Sequence, residues 1–248
     1  MRWGWAAAAV AAGAAFLGRS SIVSGIHSVI DASKEGLFSA ALPDGIAQWS
    51  QQLLRAARSA GVNPWVLAGI MHRESSGGSA LTPPGPGGTG DFGRRSPGYR
   101  YSNGYVVPGS GLPDDGQGWG RGLMQIDYGY HYPWLSQYAW FDPQTNIDYA
   151  AGLVRQSQDF FSSPAGGRIQ LSQASMNRLG LSSSGPYSDP RPLSGDDLTL
   201  AVLAAYNAGN TIVLQALAAG LPASAPTAHN DYASWVMERV VAWASAIS

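Results

Sequence analysis

One helix, bracketed by its own start and stop signals and carrying a glutamate on its apolar face, constrains this chain most. The run is Gly61-Val62-Asn63-Pro64-Trp65-Val66-Leu67-Ala68-Gly69-Ile70-Met71-His72-Arg73-Glu74-Ser75-Ser76-Gly77-Gly78. Asn63 then Pro64 reads as an N-cap followed by the first helical position. An Asn side chain accepts a backbone N–H that the first turn leaves unpaired, and proline has no N–H to lose there. Gly77 and Gly78 read as the stop. Val66, Leu67, Ile70 and Met71 form an apolar stripe at helical spacing. Glu74 lies at i+4 from Ile70 and i+3 from Met71, so it projects from that face. Desolvation raises the pKa of such a carboxyl, as does the negative end of the helix dipole. A carboxylic acid that keeps its proton near neutral pH suits a general acid. Of the three glutamates, Glu35, Glu74 and Glu238, only Glu74 lies on a strongly apolar face. The competing reading is a helix-ending glutamate turned to solvent or paired with Arg73, since most glutamates are exposed.

A chain of 248 residues allows one large domain or two small ones. Apolar residues make up 45% and the net charge is -1, so the chain is globular and has no basic excess to attract nucleic acid. The absence of cysteine excludes disulfides and thiolate metal sites, and an exported form is held by core packing alone. No metal or organic cofactor is implied, and a monomer is expected. Residues 1–18 carry one basic residue and then an alanine-rich apolar run, the shape of a signal peptide or short membrane anchor. Residues 3–17 are the anchoring stretch, although a spanning helix needs roughly 20 residues. Export to the periplasm, cell surface or medium is expected, with a phage-encoded origin also open. The rival reading is an alanine-rich helix within the mature protein.

Residues 19–42 read as a connector, with Ile22, Val23, Ile26, Val29 and Ile30 at helical spacing. The catalytic domain is placed at 43–248. Helices are expected from Ile46 to Ala60, over the Glu74 run, from Asp142 to Phe161, near 171–179, from Asp196 to Tyr206, near 211–219, and from Asn230 to Ala246. Residues 77–113 read as a Gly/Pro-rich insertion, an accessory lip outside the core. Within it, residues 99–107 resemble a hairpin turning at Asn103-Gly104. The fold class is mainly α, or α+β, with a small β-hairpin beside a cleft.

Four further runs follow the Glu74 helix in order. They are Gly120-Arg121-Gly122-Leu123-Met124-Gln125-Ile126-Asp127, Tyr130-His131-Tyr132-Pro133, Ala204-Ala205-Tyr206-Asn207-Ala208-Gly209 and Asp231-Tyr232-Ala233. Each is weak alone. Their order and spacing resemble goose-type lysozymes and the related soluble lytic transglycosylases, over roughly residues 44–245. The 77–113 stretch is longer than that family's usual link.

The resemblance implies a lysozyme-like fold that cleaves the β-1,4 bond between N-acetylmuramic acid and N-acetylglucosamine in the peptidoglycan glycan strand. Glu74 matches the family's catalytic acid. Gly122, Leu123, Met124 and Gln125 match a cleft-wall segment. Asp127 matches an aspartate proposed to hold the hydrolytic water. For the family's second aspartate Asp115 is nearest, with Asp114 beside it, and the register is off by about one residue. His131, Tyr206, Asn207 and Tyr232 match positions at the sugar subsites. Trp119 and Trp134 are candidates for sugar stacking, or for core packing. Without the resemblance, Tyr206 would be a core tyrosine, His131 a loop histidine and Asp127 a cap. Inverting hydrolysis needs a second carboxyl roughly 6.5–9.5 Å from the acid to admit a water. A lytic transglycosylase uses the substrate's 6-hydroxyl and needs one protein carboxyl. That reaction, a chitinase, and a non-catalytic glycan-binding module are the alternatives.

Overall fold

The computed structural model describes residues 35–92, 112 and 115–247. The leader at 1–18 and the hairpin at 99–107 lie outside the described residues. Ten helices cover most of the rest: α1 (Glu35–Ala41), α2 (Asp44–Ala47), α3 (Ser50–Ala60), α4 (Pro64–Ser75), α5 (Tyr128–Leu135), α6 (Pro143–Ser162), α7 (Gln173–Leu179), α8 (Gly195–Ala208), α9 (Asn210–Ala218) and α10 (Tyr232–Ser245). The class is therefore mainly α with a small antiparallel component. Strands β1 (Thr89–Gly90), β2 (Gly120–Arg121) and β3 (Ile126–Asp127) form a sheet in that order. Strands β4 (Arg168–Ile169) and β5 (Tyr187–Ser188) form a separate pair. No helix among the described residues is long and apolar enough to cross a membrane.

Helix α4 sits at the centre, between α3 and α10, and is buried along almost its whole length. Gly69 lets α10 approach, since a Cβ there would stand 2.7 Å from the Val236 side chain. The expected cap at Asn63 is present, its Oδ1 accepting from the Trp65 N–H at 2.8 Å, and the helix expected from Asp142 starts on a cap of the same kind, Asp142 Oδ1 accepting from the Thr145 N–H at 2.8 Å. These bonds are local, which is why the helix starts were legible. The helix expected from Ile46 is instead two, broken at Gln48 and Trp49. The indole of Trp49 donates to the Gly77 carbonyl at 2.9 Å, a long-range bond that fixes the break.

Two expectations need correction. The segment read as a connector to residue 42 contributes Phe38 and Leu42 to the core, with Phe38 edge-on to Trp65 at 4.5 Å. The Gly/Pro-rich segment read as a lip from residue 77 is integral at least to Gly90. Leu81 and Thr89 are buried, and β1 is an edge of the sheet that builds the site. Its glycines are close-contact positions: a Cβ on Gly77 would meet the Gly45 carbonyl oxygen at 1.8 Å, and one on Gly88 the Pro83 oxygen at 2.1 Å. In composition, tight backbone packing and looseness look alike.

Candidate functional site

Glu74 occupies the last turn of α4. Ser75, next to it, is buried, and its hydroxyl donates to the Leu123 carbonyl at 2.6 Å while accepting from the Gly78 N–H at 3.1 Å. One side chain thus closes α4 and ties it to the β2–β3 turn. That turn, Gly122 to Gln125, is held from below by Asn146. Its Oδ1 accepts from the Met124 N–H at 2.8 Å, and its Nδ2 donates to the Arg121 carbonyl at 3.1 Å. Gly122 has φ +70° and a Cβ there would lie 2.5 Å from Asn146. Gln125 takes φ 49°, a left-handed conformation uncommon outside glycine, and its amide donates back to the Gly122 carbonyl at 2.8 Å. Its Oε1 would clash with a Cβ on Gly90 or Gly120, at 2.3 and 2.2 Å, so both strands need glycine beneath it.

The carboxyl of Glu74 opens into a cleft of about 880 Å³. One wall carries Asp91, Gln125 and Asp127, another carries Tyr206 and Asn207, and the loop from Ala225 to Asn230 completes it. Desolvation raises the Glu74 pKa from 4.5 to about 7. The Tyr232 hydrogen bond and the Arg73 charge oppose the rise, and the Asp91 charge adds to it. Tyr232 is buried and donates its hydroxyl to Glu74 Oε1. Burial and the neighbouring Glu74 hold the Tyr232 pKa well above 10, so it stays a donor. Arg73 pairs with Asp231 at 2.9 Å, immediately before Tyr232, and packs over the Trp235 ring at 4.8 Å. That bridge anchors the start of α10, where Tyr232 sits.

The structure brings some predicted residues together and removes others. Gln125, Asp127, His131, Tyr206 and Asn207 line the cleft. Asp127 Oδ1 also caps α5, accepting from the N–H groups of Gly129 and Tyr130 at 2.8 and 3.0 Å. His131 hydrogen-bonds the Tyr149 hydroxyl through Nδ1 at 2.9 Å. Burial lowers its pKa, against the opposing charge of Asp127. Met124 is fully buried and is not among the residues that line the cleft. Tyr232 holds the acid and is itself in the core. Trp119 is buried edge-on against Tyr128 at 5.5 Å, and so is a core residue. Trp134 stacks on Tyr149 at 3.9 Å.

Asp115 is the main displacement. Its carboxylate pairs with Arg121 at 2.9 Å, and Arg121 is buried, with a further bond to Gln117 Oε1 at 2.7 Å. The guanidinium lies over the Tyr128 ring at 4.3 Å. Desolvation pushes the Asp115 pKa up, but its bonds from Arg121 and the Gln117 N–H outweigh that and lower it. A buried guanidinium needs its carboxylate, so Asp115 serves the sheet and does not line the cleft. The additional cleft carboxyl is Asp91, just past β1, at φ 57°. The readable signal was an aspartate between glycine and Phe92-Gly93, a residue type that tolerates left-handed backbone. Asn146 was also unread. Its signal was an amide on the apolar face of α6, beside Ile147 and in line with Ala150.

The Tyr206 hydroxyl donates to the Met124 carbonyl at 2.7 Å, which assigns it a structural bond as well as a place in the cleft wall. Tyr206→Phe is expected to lower stability by about 1–2 kcal/mol by leaving that carbonyl unpaired. Thermal unfolding reads the loss, and an unchanged Tm would show that the bond contributes nothing.

Among the described residues, no group of three His, Asp or Glu side chains is placed to hold a metal ion. No protein-family model matches the chain. No curated protein matches it.

Proposed function

We propose that this protein is a glycosidase cleaving the β-1,4 bond between N-acetylmuramic acid and N-acetylglucosamine in peptidoglycan, in the manner of goose-type lysozymes. The observation that carries the reading is a Glu74 carboxyl protonated near neutral pH, in an open cleft that also holds Asp91 and Asp127. Glycoside cleavage needs a proton for the leaving oxygen, and Glu74 supplies it as general acid. Tyr232 keeps one carboxyl oxygen occupied and so orients the other towards the cleft. A carboxylate across the sugar activates water and balances the positive charge that develops at the anomeric carbon. Asp91 is close enough to Glu74 to raise its pKa and is the leading base, with Asp127 beside it in the lining. Two additional carboxyls in the cleft favour hydrolysis over the transglycosylase route, which needs none beyond the acid.

Asp91→Asn is expected to slow hydrolysis by about 10²-fold, in the range of general base catalysis. Asp127→Asn tests chemistry apart from capping, because asparagine caps a helix as well as aspartate does. Asp115→Asn should leave kcat within a few-fold and cost about 1–2 kcal/mol of stability, moderated by its solvent access. Mass analysis of the products completes the test. New reducing ends support hydrolysis. Anhydro ends, with full activity in both Asp91→Asn and Asp127→Asn, would replace it with transglycosylation.

A further inference from the structure

The run Tyr130-His131-Tyr132-Pro133 distorts α5 and turns one of its side chains against α6. Pro133 has no N–H to give, and its ring crowds the carbonyl four residues back, so a helix cannot run through it undisturbed. The distortion falls at His131, with φ -115° and ψ 18° inside α5. Its ring lies edge-on to Tyr149 at 5.5 Å, and Nδ1 meets the Tyr149 hydroxyl at 2.9 Å. Tyr149 stands one helical turn beyond Asn146 on α6. One helix therefore supports both the turn from Gly122 to Gln125 and the His131 ring. Tyr149 is itself held by Trp134, which stacks on it at 3.9 Å and on Tyr138 at 5.7 Å.

The two edges of the imidazole have different surroundings. His131 lines the cleft and Tyr149 does not. The edge with Nδ1 therefore faces into the protein, and the edge with Nε2 faces the cleft. Burial keeps the imidazole neutral near neutral pH by lowering its pKa, against the Asp127 charge. A neutral imidazole has one N–H and one acceptor nitrogen, and the bond made by one nitrogen selects the role of the other. Tyr149 keeps its proton, since burial raises its pKa. Among the described residues, Nδ1 is the acceptor within reach of its hydroxyl. Donation to Nδ1 leaves the imidazole proton on Nε2. The opposite arrangement, with Nδ1–H donating to the phenol oxygen, would strand the hydroxyl proton and turn a lone pair to the cleft.

We propose that Tyr149 is a positioning residue that fixes the tautomer of His131, so that Nε2–H stands at the cleft wall as a donor to an acceptor oxygen of the bound glycan. This rests on the glycosidase reading above. Sugar hydroxyls both donate and accept, whereas an acetamido carbonyl only accepts. A wall that donates at this point therefore favours the placement of the strand in which an acceptor meets it. A ring already held in one tautomer and one orientation has less freedom to lose on binding, and that is the gain from pre-organisation.

The first measurement is the imidazole nitrogen NMR spectrum of the free protein, with the His131 signals assigned by their loss in His131→Ala. The wild-type ring is expected in a single tautomer with its proton on Nε2. In Tyr149→Phe, which keeps the stack on Trp134, the signals should move towards the average of two tautomers. Kinetics on peptidoglycan strands read the consequence. Tyr149→Phe should lower kcat/KM by about 3-fold to 10-fold, the value of a neutral hydrogen bond, and chiefly through KM. In a His131→Ala background the same change should cost nothing further, an outcome that a purely structural hydroxyl would not give. A proton on Nδ1 in the wild type, a tautomer unchanged in Tyr149→Phe, or equal losses in both backgrounds overturns the assignment. Wild-type protein that cleaves no strand overturns the glycosidase reading and the glycan as acceptor, while the spectra still decide the tautomer.

Discussion

Glu74→Gln is expected to abolish cleavage and, at the same time, to stabilise the folded protein above neutral pH. The catalytic loss should be at least about 10²–10⁴-fold, because the variant has no proton to give. The gain in stability follows from the raised pKa. In the unfolded chain Glu74 ionises near 4.5, and in the folded protein at about 7. Between those values the native state holds a proton that the unfolded state has released, so native stability falls as pH rises. The penalty is complete above about pH 7 and amounts to roughly 3 kcal/mol from the size of the shift. Glutamine is never ionised and keeps an oxygen to accept from Tyr232, so it escapes the penalty. Urea unfolding at pH 4, 6 and 8 checks this. The two proteins should be nearly equal at pH 4, and the variant should be more stable at pH 8. Parallel curves across that range would mean that Glu74 is not held protonated, and the general-acid assignment would lose its physical basis. The same shift predicts that wild-type activity declines as pH rises through about 7, where the acid loses its proton.

Asn146→Ala carries the second large effect, and it lies outside the cleft. The side chain is fully buried and satisfies two buried backbone groups, the Met124 N–H and the Arg121 carbonyl. Removing it strands both, at about 1–3 kcal/mol each. The expected loss is about 2–5 kcal/mol, enough to lower Tm by many degrees in a protein of ordinary stability. Asn146→Leu, of similar volume, should be no better, because the cost comes from unpaired polar groups and not from a cavity. The turn from Gly122 to Gln125 would lose its support, and Gln125 and Asp127 would shift with it. A leucine variant as stable as the wild type would show that the turn holds itself.

The resemblance-based site was half legible. Glu74 and the helix that presents it could be read because caps and apolar spacing act within four residues, whereas the segment from Gly122 to Gln125 was placed opposite it only by the resemblance. Asp127 and Tyr206 also lie in the cleft, yet each has a second, structural bond that no local pattern announces. Asp115 was misread for a definite reason. In sequence it stands close before Gly120, which suggested the second carboxyl. In the fold, the buried Arg121 needs a counter-charge six residues away and takes it. Trp119 was misread similarly, since an aromatic beside a cleft motif fills the space under Tyr128.

What the amino-acid order determined by itself was most of the longer helices and the apolar face of α4 from which Glu74 projects. Asn63 and Asp142 set their helix starts through bonds spanning two or three residues, and the stripe from Val66 to Met71 chose the buried face. What only the tertiary structure decided was which aspartate shares the cleft with Glu74. Asp91 is brought there by two-residue strands, Thr89 opposite Arg121 and Gly90 opposite Gly120, pairing across about thirty residues of chain. Strands that short have no period to read. Their pairing is set by glycines that admit close backbone contact and by Ser75 and Asn146 holding the neighbouring turn, and such contacts leave no mark in local order.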